Sequence, residues 1–177
     1  MKLWSATPRS WGELFDLIQE VPSGREVWRR FRDQLSSGQV RLEAYPEEVK
    51  RQLQSLVKVA APLGAAFTTD GIDGTVFLDA SGNFGILAPC LLHEMIHSLD
   101  ETLWRAGRHS LPSSQLRSLI FDAECRAFAA QHRFLEELRG RYPDYRSFCE
   151  LSANHLPGFN RQLLPDEIAR LYGAIHR

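Results

Sequence analysis

Apolar side chains recur along this chain at two spacings, and the spacing changes several times. Leu14, Phe15, Leu17 and Ile18 follow Ser10, a helix-capping residue type, and predict a short helix over residues 10–20. "PSG" at 22–24 should break it. Val27, Trp28, Phe31 and Leu35 then line one face of a second helix, 24–36, which stops at "SSG". "QVRLEAY" alternates and predicts a short strand. "PEEVKRQLQSLVKVA", residues 46–60, opens with Pro and two acids and carries a helical period through Val49, Leu53, Leu56, Val57 and Ala60.

The pattern changes character after residue 64. Two apolar segments, 65–68 and 75–79, flank "DGIDG" and predict a β-hairpin or two neighbouring strands. A long helix is expected from about 86 to 106, ending near Gly107. A second long helix, 113–139, follows the connector "RHSLPSSQ", and shorter helices are expected at 143–153 and 165–176. The sum is a helix-dominated α+β domain with a small sheet, a single unit over residues 1–177. Residues 1–40 are not needed to build the chemistry below, so they either scaffold the core or form an accessory, inhibitory segment.

Composition narrows the function classes. The formal net charge is −1, so no global field draws the chain to nucleic acid or an anionic membrane. The densest basic cluster, "REVWRRFRDQ" at 25–34, reads first as a solvated helix face and second as a surface for an anionic partner. Three cysteines, Cys90, Cys125 and Cys149, do not make a disulfide framework and suit a reducing compartment. The first 15 residues lack the apolar stretch of a secretory signal, and no apolar run is long enough to span a bilayer. A cytoplasmic protein is expected, with export by a route needing no cleaved signal left open.

The chemistry lies in "CLLHEMIHSLDETLW", residues 90–104. From Ile86 to Leu99 the side chains are almost all apolar, which marks a buried helix. Unpaired polar groups there would cost about 1–3 kcal/mol each. His93 and His97 lie four residues apart, so they share a helix face and can reach one metal ion. Glu94 sits about 100° round the wheel, beside that ion. This is H-E-x-x-H: two imidazoles suited to zinc and an offset carboxylate placed to take a proton from a water on the metal. Core histidines hydrogen-bonded to Glu94 or to backbone would explain neither the spacing nor the clustering.

A catalytic zinc site generally takes three protein ligands. The candidates are Asp100, Glu101, His109, Asp122 and Glu124. The third histidine of the metzincin spacing would fall at Leu103, which excludes that class. Glu124 is preferred, because it lies on the second long helix between Ala123 and Ala127, small residues that allow close helix approach. Asp122 points about 200° away from it. His109, in a loop, is the main competitor.

"HEMIH" followed by "DAECRAFAA" resembles the zinc metallopeptidases of the gluzincin kind, above all their short bacterial families. The resemblance spans roughly residues 74–130, and "GTVFLDASGN" resembles the strand at their cleft edge. It implies a zincin-like fold, a Zn²⁺ cofactor held by His93, His97 and Glu124, and hydrolysis of a peptide or protein substrate with Glu94 as general base. The thermolysin pattern places an Asp four residues after the ligand Glu, and here that position is Phe128. The group orienting a ligand histidine is then expected from Glu101 or a backbone carbonyl. "TVFLD" is expected to pair with extended substrate. Tyr142, Tyr145 and His155 are candidate oxyanion stabilisers, each with a packing or surface role as its rival. Peptide deformylase shares H-E-x-x-H but needs an upstream metal cysteine; Cys90, on the same helix, is the only one available. The alternative function is a zinc-stabilised, catalytically weak binding or effector module using the same cleft.

Overall fold

A computed structural model of the chain describes residues 3–46, 48, 64–152, 158–159 and 161–175. Seven helices and a three-stranded sheet lie among the described residues, a helix-dominated α+β arrangement. The helix expected over 46–60 falls almost wholly outside them, as does His155.

Helix α1 (Trp11–Ile18) buries Leu14, Leu17 and Ile18. Helix α2 (Pro22–Ser37) starts earlier than expected, because "PSG" forms its first turn instead of a break. Pro22 suits a first-turn position, where its missing N–H leaves no intrahelical bond unmade. At Gly24 a Cβ would lie 1.8 Å from the Ile18 carbonyl oxygen, so a side chain there would push α1 and α2 apart. Val21 has no side-chain oxygen with which to cap α2. Glu137, from a later helix, does so instead, accepting from the Ser23 N–H at 2.9 Å and the Ser23 hydroxyl at 2.8 Å. Trp4, Leu14, Ile18 and Phe31 join the same core cluster as the later elements.

Strands β1 (Val40–Ala44), β2 (Ala65–Thr69) and β3 (Gly74–Leu78) form a sheet in the order β1-β3-β2. β1 runs parallel to β3 and β2 antiparallel to it. The hairpin turns where expected: Gly71 has φ 88°, and Asp70 Oδ1 accepts from the N–H groups of Ile72 and Asp73 at 2.8 Å each. β3 is therefore paired on both edges, which overturns the expectation that "TVFLD" recruits substrate as an added strand. β2 is an edge strand. Asp79 N–H bonds Gly64 O and Asp70 N–H bonds Asp73 O, so by alternation Ala65, Phe67 and Thr69 turn their backbone groups away from β3.

Helix α3 (Phe84–Ser98) occupies the centre, with Leu87, Leu91, Leu92 and Met95 at most 1% exposed. Asn83 caps it, accepting from the Ile86 N–H at 3.1 Å. Pro89 lies inside it and removes the N–H that would bond the Gly85 carbonyl. The Tyr145 hydroxyl donates to that oxygen at 3.0 Å and repairs the gap. The helix does not run on to residue 106. It stops at Ser98, and Asp100 caps a new helix, α4 (Glu101–Arg108), accepting from the Thr102 N–H at 2.9 Å and hydroxyl at 2.6 Å.

Helix α5 (Ser113–Arg141) packs along α3 through a buried face that includes Ala123, Ala127, Gln131, Phe134, Leu135 and Leu138. Helices α6 (Pro143–Ser152) and α7 (Pro165–Ile175) follow as the sequence pattern predicts. The three cysteines are free thiols. Among the described residues no helix is long and apolar enough to cross a membrane.

Candidate metal centre

α3 and α5 bring three polar side chains together inside the core. His93, His97 and Glu124 are each buried, and one donor atom from each lies within 4.8 Å of the others. His93 Nε2 is 3.0 Å from Glu124 Oε2, and His97 Nε2 is 3.2 Å from Glu124 Oε1. The four-residue spacing stacks the imidazoles one turn apart, edge to face with centroids 4.8 Å apart. Ala123 and Ala127, 1% and 0% exposed, let α5 approach close enough for the short Glu124 side chain to span the gap.

The electrostatics follow from this geometry. Burial pushes the Glu124 carboxyl up, but hydrogen bonds from both histidines and their charge outweigh it and hold it well below the usual range. Burial pushes His97 down, yet its bond to Glu124 and the nearby carboxylates of Glu94, Glu124 and Asp100 leave it raised. Glu94 is partly buried, and desolvation is the largest influence raising its carboxyl. Its electrostatic neighbours are His93, His97 and Glu124, and the Phe67 backbone on β2 hydrogen-bonds it.

The residues fit a zinc ion on three grounds. Two imidazole nitrogens and one carboxylate are a donor set that zinc takes. Ligand atoms about 2.0–2.1 Å from a tetrahedral ion lie about 3.3 Å apart, close to the separations between Glu124 and the two histidines. The third ground is the His93 hydrogen-bond pattern. Its Nδ1 lies 2.8 Å from Gln131 Oε1, an acceptor, which assigns the ring proton to Nδ1. Its Nε2 faces the Glu124 oxygen 3.0 Å away, where it donates when it carries a proton and offers a lone pair to a metal ion when it does not. Two acceptors in that position need a proton or a cation between them.

The other predicted residues lie elsewhere. His109 is exposed and follows the last turn of α4, so it is not part of the cluster. Asp122 is exposed. Asp100 caps α4 and pairs with Arg126. Glu101 is exposed in the first turn of α4 and does not orient a histidine; Gln131 holds His93 instead. Tyr142 donates to Glu20 Oε2 at 3.2 Å, and Tyr145 is committed to Gly85, so neither joins the cluster. Both pack on Trp4.

Sequence reasoning missed two residues. Gln131 follows Glu124 by seven positions, two helical turns, so its place on the same face was readable; a glutamine carries no motif of its own. Tyr45, just past β1, is buried beside the site and stacks on Phe77 with centroids 5.7 Å apart. Its hydroxyl has no hydrogen-bond partner among the described residues. Burial, and then Glu94, Cys90 and Asp79, raise it above the ordinary phenol range. No local pattern links it to the histidines. Among the described residues no other set of three His, Cys, Asp or Glu side chains gathers this closely. Comparison of the chain with protein-family models, with curated proteins and with solved structures finds no match.

Proposed function

We propose that the chain is a zinc-dependent metallopeptidase, with His93, His97 and Glu124 as the metal ligands and Glu94 as the general base. The observation that carries this reading is the convergence of the three donor atoms within 4.8 Å, two of them from α3, the helix that also bears Glu94, and one from α5. Zinc held there would act as a Lewis acid and make a water nucleophilic near neutral pH. Glu94 would serve as the base that accepts a proton from the attacking water and returns it to the departing amine. Desolvation, which raises the Glu94 carboxyl, makes it a stronger base for this transfer. Glu124 stays ionised as a ligand, and Gln131 fixes the His93 ring so that Nε2 faces the site.

β2 supplies a way to hold an extended substrate. Its outward backbone groups at Ala65 and Thr69 flank Phe67, whose backbone contacts Glu94. A peptide added along this edge would bring its carbonyl beside the base. The test is zinc content together with cleavage of an unfolded protein, for wild type and Glu94→Gln. The expected result is zinc in both and a loss of cleavage in the variant of about 10²–10⁴-fold. Zinc-loaded wild type that cleaves nothing would favour the binding-module alternative, and equal cleavage by the two proteins would remove Glu94 from the chemistry.

A further inference from the structure

We infer that the cavity between α2 and α4 is a binding site for a small molecule carrying a phosphate group. The cavity holds about 500 Å³, a size suited to a small-molecule ligand. Arg30 faces it from α2, and Arg105 and Arg108 from α4. Glu101 is the single carboxylate in its lining. This concentration of guanidinium groups occurs in a chain whose net charge is −1, so it does not follow from a general basic excess. Neither Arg30 nor Arg105 has an ion-pair partner among the described residues. Arg108 is held by a bond from its Nε to the Gly71 carbonyl at the hairpin tip.

The floor of the cavity is fixed. Gln34 Nε2 and Trp104 Nε1 both donate to the Ser98 carbonyl, at 2.8 and 2.7 Å, and the Ser98 hydroxyl donates to Gln34 Oε1 at 3.0 Å. The carbonyl that α3 presents here is thereby satisfied by two donors. The arginines define the chemistry of the ligand. A carboxylate matches one guanidinium fork, whereas a phosphate dianion has oxygens enough to span forks from two helices and relieves the repulsion among them. The floor residue Ser98 directly follows His97, but the cavity shares no lining residue with the metal cluster, so it is a separate site.

Titration with inorganic phosphate, followed by ³¹P resonance at constant ionic strength, tests the inference. Saturable binding is expected, weakened about tenfold by Arg30→Gln and by Arg105→Gln, with both variants folded by circular dichroism. Binding by Glu124→Ala should match wild type. Absence of saturation, equal binding by the arginine variants, or loss of binding in Glu124→Ala would each overturn the assignment, the last by placing the phosphate on the metal centre. Displacement by acetate at equal concentration would overturn the phosphate class in favour of a carboxylate.

Discussion

Gln131 is the residue on which the quality of the site turns. It holds His93 through Nδ1, while Phe128 packs edge-on against the same ring with centroids 4.6 Å apart. A neutral amide two helical turns past Glu124 is thus the partner of that ring nitrogen. Gln131→Ala should lower zinc affinity by about 10–100-fold in competition with a chelating dye, with the fold intact. An unchanged affinity would mean that packing against Phe128 alone orients the ring. His93, Glu94 and His97 were legible because one helix brings them together at a fixed spacing. Glu124 was legible because its flanking alanines announce close helix contact. Gln131 and Tyr45 were not, since each acquires its meaning from a partner far away in sequence.

At the scale of elements, the junctions carried the information that periodicity missed. Leu99, Leu103 and Trp104 prolong the apolar pattern across a real break, so the hydrophobic positions read as one helix from 86 to 106. The cap signal was there in Asp100 followed by Glu101, and it proved decisive. Asp100 also pairs with Arg126, tying the α3–α4 corner to α5 two residues past Glu124. At the start of α2 the order is reversed: Val21 offers no cap, and Glu137 supplies one from α5. Burial pushes the Glu137 carboxyl up, but the two Ser23 donors and Arg133 outweigh it and leave it below the usual range. A carboxylate lowered in the native state stabilises fully above its unfolded value, about 4.3, and loses that contribution as pH falls through the native value. Glu137→Ala should therefore cost about 1–2 kcal/mol in urea melts at pH 7, and the difference from wild type should shrink in acid. A difference that persists unchanged into strong acid would show that the charge on Glu137 plays no part.

For the molecule as a whole, the α+β class and the order of elements followed from local pattern, and the strand order did not. Pairing of β1 with β3 joins residues more than thirty positions apart, and nothing in either segment specifies it. That pairing moves the usable sheet edge from β3 to β2 and so changes where a substrate would lie. It also draws Tyr45 towards Glu94. The core runs from Trp4 to Phe159 without division, and the cluster of His93, His97 and Glu124 sits within it, between α3 and α5. A buried set of two imidazoles and a carboxylate is costly unless paired, and a bound ion would offset that cost. Zinc content per chain, measured by elemental analysis after dialysis against metal-free buffer, tests this most directly. The proposed zinc site predicts about one zinc per wild-type chain and its loss in Glu124→Ala. A wild-type chain that retains no zinc after exposure to the metal, or a Glu124→Ala variant that retains as much, would contradict it.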